Sequence, residues 1–254
     1  MTQPRSIVCL VLLLVSTLAT VGGQTPAPAV SPRDALGQLK AGNDRFARNV
    51  SRPVSLSVNR RRELAGAQHP ISMILSCADS RVPPEHVFNT GLGDVFVIRT
   101  AGEVVDHSIL ATIEYGAEHL HIPLLVVMGH ESCGAVKAAA EATGRNPSAN
   151  LDYLLKAIQA AKRQTTQDRD DIKALVLANV EQVINDTLAK SPLLRGLVDE
   201  GRLELVGAYY ELVSGRVVFS EPVSPGATAG AHAAAHPAAA RPAARPAERP
   251  AGHQ

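Results

Sequence analysis

The sequence predicts an α/β fold with a mainly parallel central sheet and flanking helices, and three observations carry that expectation. Short, mainly apolar runs recur along the chain: Ile71–Leu75 leading into Ser76-Cys77, Asp94–Ile98, and Leu124–Met128 leading into Gly129-His130. Runs of this length without regular polar alternation suit strands covered on both faces. Segments with helical apolar spacing lie between and after them, such as His107–Leu120 with Ile109, Ile113 and Leu120. Strand–helix alternation of this kind favours parallel pairing, because each crossover helix returns the chain to the same end of the sheet.

The elements follow in order. Ser31-Pro32-Arg33-Asp34 is a helix start, with a serine cap, proline in the first turn and an acid beside it. Leu36, Leu39 and Phe46 supply its apolar stripe up to about Asn49, and a basic helix follows from Asn59 to Ala67. Beyond the third apolar run, an alanine-rich helix begins at Ser132 and extends to about Ala142. Further helices fit Leu151–Arg163, Asp168–Ala189 and Pro192–Glu200. Leu203–Val213 and Val217–Phe219, joined through Ser214-Gly215, form a closing strand or hairpin.

Residues 31–220 therefore make one domain with a core of its own. Residues 1–23 read as a signal peptide: Arg5, an apolar run from Ile7 to Leu18, then small residues up to Gly23. The run is short for a membrane span, although an uncleaved anchor is the alternative reading. Cys9 lies inside that run, which does not suit a lipid-attachment cysteine. Residues 24–30 form a linker, and the expected location is periplasmic or secreted. Residues 221–254 are Ala, Pro, Gly, His and Arg with few large apolar groups, a composition expected to stay disordered. His232, His236 and His253 in that tail read as solvated side chains. The formal net charge is +1, which gives no electrostatic case for nucleic acid or for an acidic membrane surface.

Two short clusters carry the chemistry. Cys77-Ala78-Asp79-Ser80-Arg81 and His130-Glu131-Ser132-Cys133 each follow an expected buried strand, where open α/β sheets bind their ligands. Taken singly, His130 reads equally well as a satisfied core histidine, Cys77 as a buried inert thiol, and Cys-x-Asp-x-Arg as a loop with an ion pair. Taken together, two thiolates and an imidazole make a three-ligand set suited to zinc, with a fourth position left open for chemistry. The start of the helix at Cys133 favours its thiolate through the helix dipole. A disulfide between Cys77 and Cys133 is the competing reading for an exported chain.

Cys77-Ala-Asp-Ser-Arg81 followed by Val-Pro-Pro-Glu, with Gly129-His-Glu-Ser-Cys-Gly134 and the intervening Phe-Val-Ile-Arg-Thr-Ala-Gly, resembles the signature motifs of the β-class carbonic anhydrases. The resemblance spans about Ser31 to Phe219. It implies a zinc enzyme for the reversible hydration of carbon dioxide, with Cys77, His130 and Cys133 as ligands and Asp79–Arg81 as a dyad. Asp79 is either the dyad partner or a fourth ligand. Gln68, Phe96 and Tyr115 resemble pocket residues of the family. The implied fold adds one antiparallel edge strand and an N-terminal helical arm. The implied assembly is a homodimer or tetramer whose pockets draw on both chains, with no stable membrane partner. Thr100 and Glu103 depart from the family, standing where asparagine is common, and the chain has no tryptophan for the family's known bicarbonate regulatory site. Hydrolysis of carbonyl sulfide or carbon disulfide at the same site, or a non-catalytic zinc or bicarbonate module, are the alternatives.

Overall fold

The computed structural model describes residues 30–164, 171–223 and 226. The expected signal peptide, most of the linker, Cys9, the tail histidines and nearly all of the tail lie outside them. Among the described residues no helix is long and apolar enough to cross a membrane.

Five strands form one sheet: β1 (Ser72–Cys77), β2 (Val95–Thr100), β3 (Leu124–His130), β4 (Glu204–Tyr210) and β5 (Val217–Phe219). They lie in the order β2-β1-β3-β4-β5. The first four pair parallel, and β5 returns antiparallel on β4. The sheet is mainly parallel with one antiparallel edge strand, as expected.

The helices are α1 (Pro32–Ala47), α2 (Val58–Leu64), α3 (Pro84–Val87), α4 (His107–Glu118), α5 (Gly134–Glu141), α6 (Ala149–Gln164), α7 (Ile172–Lys190) and α8 (Pro192–Asp199). Their starts follow local chemistry. Ser31, Asp106, Asp171 and Ser191 each accept a hydrogen bond from a backbone N–H of the first turn of α1, α4, α7 and α8. The Asp171 cap explains why α7 begins at Ile172 rather than at the expected Asp168. α3 and a 3-10 turn at Ala101–Glu103 are too short to show any period in sequence.

Alternate strand residues enter two separate cores. Ile74, Leu124, Val126 and Met128 pack on one face with Leu36 and Leu39 of α1. Met73, Leu75, Leu125 and Val127 pack on the other with Ile113 of α4 and Leu194 of α8. Every residue of β1 and β3 is buried, as two-sided cover demands.

The N-terminal helix is fastened to its own chain. The Asn43 amide donates to Val87 O at 3.1 Å and Gly215 O at 2.8 Å, and its oxygen accepts from Val217 N at 2.8 Å. A side chain at Gly42 would come within 1.9 Å of Phe88 O, so glycine sets how closely α1 docks. Because β1 and β3 are adjacent and parallel, the residues that end them, Cys77 and His130, arrive at the same edge of the sheet.

Candidate metal centre

Cys77 closes β1, His130 closes β3, and Cys133 is the residue before the first turn of α5. All three are buried, and their ligand atoms lie within 4.8 Å of one another. The two Sγ atoms are 4.0 Å apart and both cysteines are free, so the structure holds a thiol pair rather than a disulfide. The Cys133 side chain makes no capping hydrogen bond, which leaves its sulfur turned to the cluster.

His130 shows how the set is prepared. Its Nδ1 lies 2.9 Å from Glu131 O. A carbonyl only accepts, so Nδ1 carries the proton and Nε2 keeps its lone pair. Nε2 is buried without a hydrogen-bond partner. Such an orphaned acceptor between two thiols is costly as a structural feature alone, and it is the arrangement a metal ligand needs. Two sulfurs and one neutral imidazole fit zinc.

The thiols differ in their surroundings. The hydrogen bond with Cys133 draws Cys77 down toward the thiolate against the opposing effect of burial, helped by the backbone N–H groups of Gly102 and Asp79. The same bond, together with burial, pushes Cys133 up. One proton shared between two buried sulfurs is a state that a divalent cation would displace.

Asp79 sits beside this set and outside it. Arg81 grips its carboxylate with Nε on Oδ1 at 2.9 Å and Nη2 on Oδ2 at 2.7 Å, and the Arg81 N–H adds a third bond to Oδ1 at 2.9 Å. These bonds from the Arg81 side chain hold the Asp79 carboxyl well below the usual carboxylate range. Asp79 Oδ2 stands 3.8 Å from His130 Nε2. The carboxylate is thus ionised, oriented, and adjacent to the position a fourth ligand would take.

Several supporting residues escaped sequence reasoning. Arg99 donates from Nε to Cys77 O at 2.8 Å and from Nη2 to Asp79 O at 2.6 Å, bracing the loop from below. A charge inside the apolar run Phe96-Val97-Ile98-Arg99 was the available signal. Glu131 accepts from Leu212 N at 2.9 Å and so ties the ligand loop to the end of β4. Glu103, singled out in the sequence only as a departure from the family, is fully buried, and burial followed by the Cys77 charge pushes its carboxyl well above its usual range.

The expected pocket residues differ in exposure. Gln68 is exposed, Phe96 is half-buried on β2, and Tyr115 is 48% exposed with its ring against His119 at 5.2 Å. Among the described residues none of the three hydrogen-bonds to Cys77, Asp79, Arg81, His130 or Cys133.

Comparison with known proteins gives a consistent set. A family model described as carbonic anhydrase matches residues 72–217. Carbonic anhydrase 2 of Mycobacterium tuberculosis is 37% identical over 202 residues, covering 77% of this chain and 96% of its own. Among solved structures, a Coccomyxa β-carbonic anhydrase in complex with acetazolamide matches with a TM-score of 0.59 and 26% identity, over 76% of this chain and 84% of that one. One of two tetrameric β-carbonic anhydrases from Sordaria macrospora matches with a TM-score of 0.58 and 27% identity, over 76% of this chain and 98% of that one.

Proposed function

We propose, from the premise that this chain belongs to the β-class carbonic anhydrase family, that Cys77, His130 and Cys133 hold one zinc ion and that Asp79 with Arg81 governs the reacting water. The family is zinc-dependent, and the reaction is the reversible hydration of carbon dioxide to bicarbonate and a proton. When bound, zinc supplies the Lewis acidity that lowers the pKa of a water from about 15.7 to roughly 7.

The chain's own residues do the positioning. With zinc bound, ionised Asp79 would accept a hydrogen bond from the water's remaining O–H and so orient it toward carbon dioxide. Arg81 occupies both carboxylate oxygens of Asp79 and keeps that group from swinging onto the metal. The observation that carries this reading is the two-pronged Arg81–Asp79 pair held 3.8 Å from the lone-pair nitrogen of His130. A structural or purely binding zinc site has no use for it.

Arg81→Ala tests the dyad. Carbon dioxide hydration by stopped flow should fall about 10²-fold or more with zinc retained, and unchanged hydration with zinc still bound contradicts it. Running carbonyl sulfide and carbon disulfide alongside distinguishes the substrates.

The assembly is proposed to be a homodimer or tetramer in which Gln68, Phe96 and Tyr115 complete the pocket between copies. Support comes from the half-exposed edge strand β2 and from the tetrameric Sordaria relatives. The signal-like composition of residues 1–23 supports export, with the enzyme periplasmic or secreted. Amino-terminal sequencing of the exported protein should begin near Gln24.

A further inference from the structure

Asn179 is a buried polar group next to the metal site that the proposed reaction does not use. It lies on α7 and is 1% exposed. Its amide donates to Gly102 O at 2.8 Å and to Glu103 Oε2 at 3.3 Å. Those two acceptors belong to the 3-10 turn after β2, where consecutive residues are left-handed: Gly102 at φ +66° and Glu103 at φ +55°. A residue with a side chain is disfavoured there, so local sequence alone does not hold the turn and a tie from elsewhere is required.

The turn matters because of where it points. Gly102 N–H is aimed at Cys77 Sγ at 3.5 Å. A Cβ on Gly102 would fall 2.6 Å from Ile158 Cδ1 and 3.3 Å from Ala135 Cβ, so the turn packs closely against α5 and α6. Asn179 thus fixes from α7 the Gly102–Glu103 peptide, the one directly after the peptide whose N–H meets the sulfur of Cys77. The contact spans 77 residues of sequence.

We propose that Asn179 is a positioning residue for the metal centre: by holding the Gly102–Glu103 turn, it keeps the Gly102 N–H on the Cys77 sulfur and sets how strongly that sulfur donates to the metal. The proposal rests on the reading of Cys77 as a zinc ligand. A donor on a metal-bound thiolate draws charge from sulfur and fixes its direction, and outer partners of this kind influence metal affinity by about 10–100-fold.

The test uses the full chain loaded with cadmium-113. In the wild type, the Gly102 amide proton should show scalar coupling to cadmium through the N–H···S bond. Asn179→Leu should abolish that coupling and weaken zinc binding roughly 10-fold in chelator competition. Gln182→Leu, nearly one turn along α7, should preserve both. Cadmium bound in one-to-one ratio with no Gly102 coupling in the wild type overturns the proposal, as do unchanged coupling and affinity in Asn179→Leu. Should that variant not fold, Asn179→Ala, which leaves space rather than filling it, is read the same way. Failure of the wild type to take up stoichiometric metal contradicts the metal-site assignment instead, which separates the two claims.

Discussion

The central strands β1 and β3 and the edge strand β2 carry different shares of the same function. β1 and β3 are buried at every residue and end in Cys77 and His130. Their metal ligands are assembled within one chain, down to the tautomer of His130. β2 is buried only at Ile98, and it serves the site from outside the ligand set, its Arg99 donating to Cys77 O and Asp79 O. Doubly covered strands bring the candidate ligands together, while the edge strand is only half-covered. A single copy therefore brings the whole Cys77–His130–Cys133 set together, with no hydrogen bond to it from Gln68, Phe96 or Tyr115 among the described residues.

Breaking the central half should cost most. Cys133→Ser removes a thiolate from the shared set, and zinc content should drop from one per chain toward none, with hydration falling by more than about 10³-fold. Metal analysis beside stopped flow checks this, and retained zinc with retained turnover would remove Cys133 from the ligand set. Leu125→Ala, at a fully buried β3 position, should destabilise the fold by about 2–5 kcal/mol through lost burial and a residual cavity. Denaturant titration measures it, and a cost below about 1 kcal/mol would mean that β3 is not the rigid half.

The buried Glu103 gives a pH signature to the same region. Its carboxyl is raised by burial and by Cys77, so above the ordinary carboxylate range the unfolded chain gives up a proton that the folded chain retains. Stability contributed there falls as pH rises between the unfolded and folded values. Glu103→Gln should flatten the decline in thermal midpoint as pH rises above the ordinary carboxylate range. An unchanged slope would place the titration elsewhere.

The edge half should respond in the opposite sense. Tyr115→Ala, at an exposed helix position, should leave stability within about 0.5 kcal/mol while hydration falls several-fold and the assembly mass drops or its dissociation becomes easier. Unchanged turnover in an intact oligomer would make Tyr115 an ordinary surface residue and narrow the pocket to other groups.

This division also explains what the sequence made legible. Cys77 and His130 stood out because short, mainly apolar runs led into them, and a buried strand end is a local signal. Strand lengths were less visible: β3 continues through Gly129 and His130 because their backbones pair with Tyr209 and Tyr210, although apolarity stops at Met128. β2 likewise runs on through Arg99 and Thr100, paired with Ser76 and Cys77. Asp79 and Arg81 were readable as neighbours two residues apart. Asn179 was not, since its partners lie 76 and 77 residues away and a lone polar residue in Leu-Ala-Asn-Val resembles many others. Gln68, Phe96 and Tyr115 were named only through family resemblance, and among the described residues none of them hydrogen-bonds to the candidate ligands.

The central claim is that a Cys77–His130–Cys133 zinc site with Asp79–Arg81 beside it hydrates carbon dioxide. Zinc content and stopped-flow carbon dioxide hydration, measured on the same preparation before chelation, after it and after zinc return, test it most directly. The account predicts one zinc per chain, hydration well above the buffer rate, loss on chelation and recovery on reloading. Full zinc occupancy without hydration, or a zinc-free chain with Cys77 and Cys133 joined as a disulfide, would contradict it.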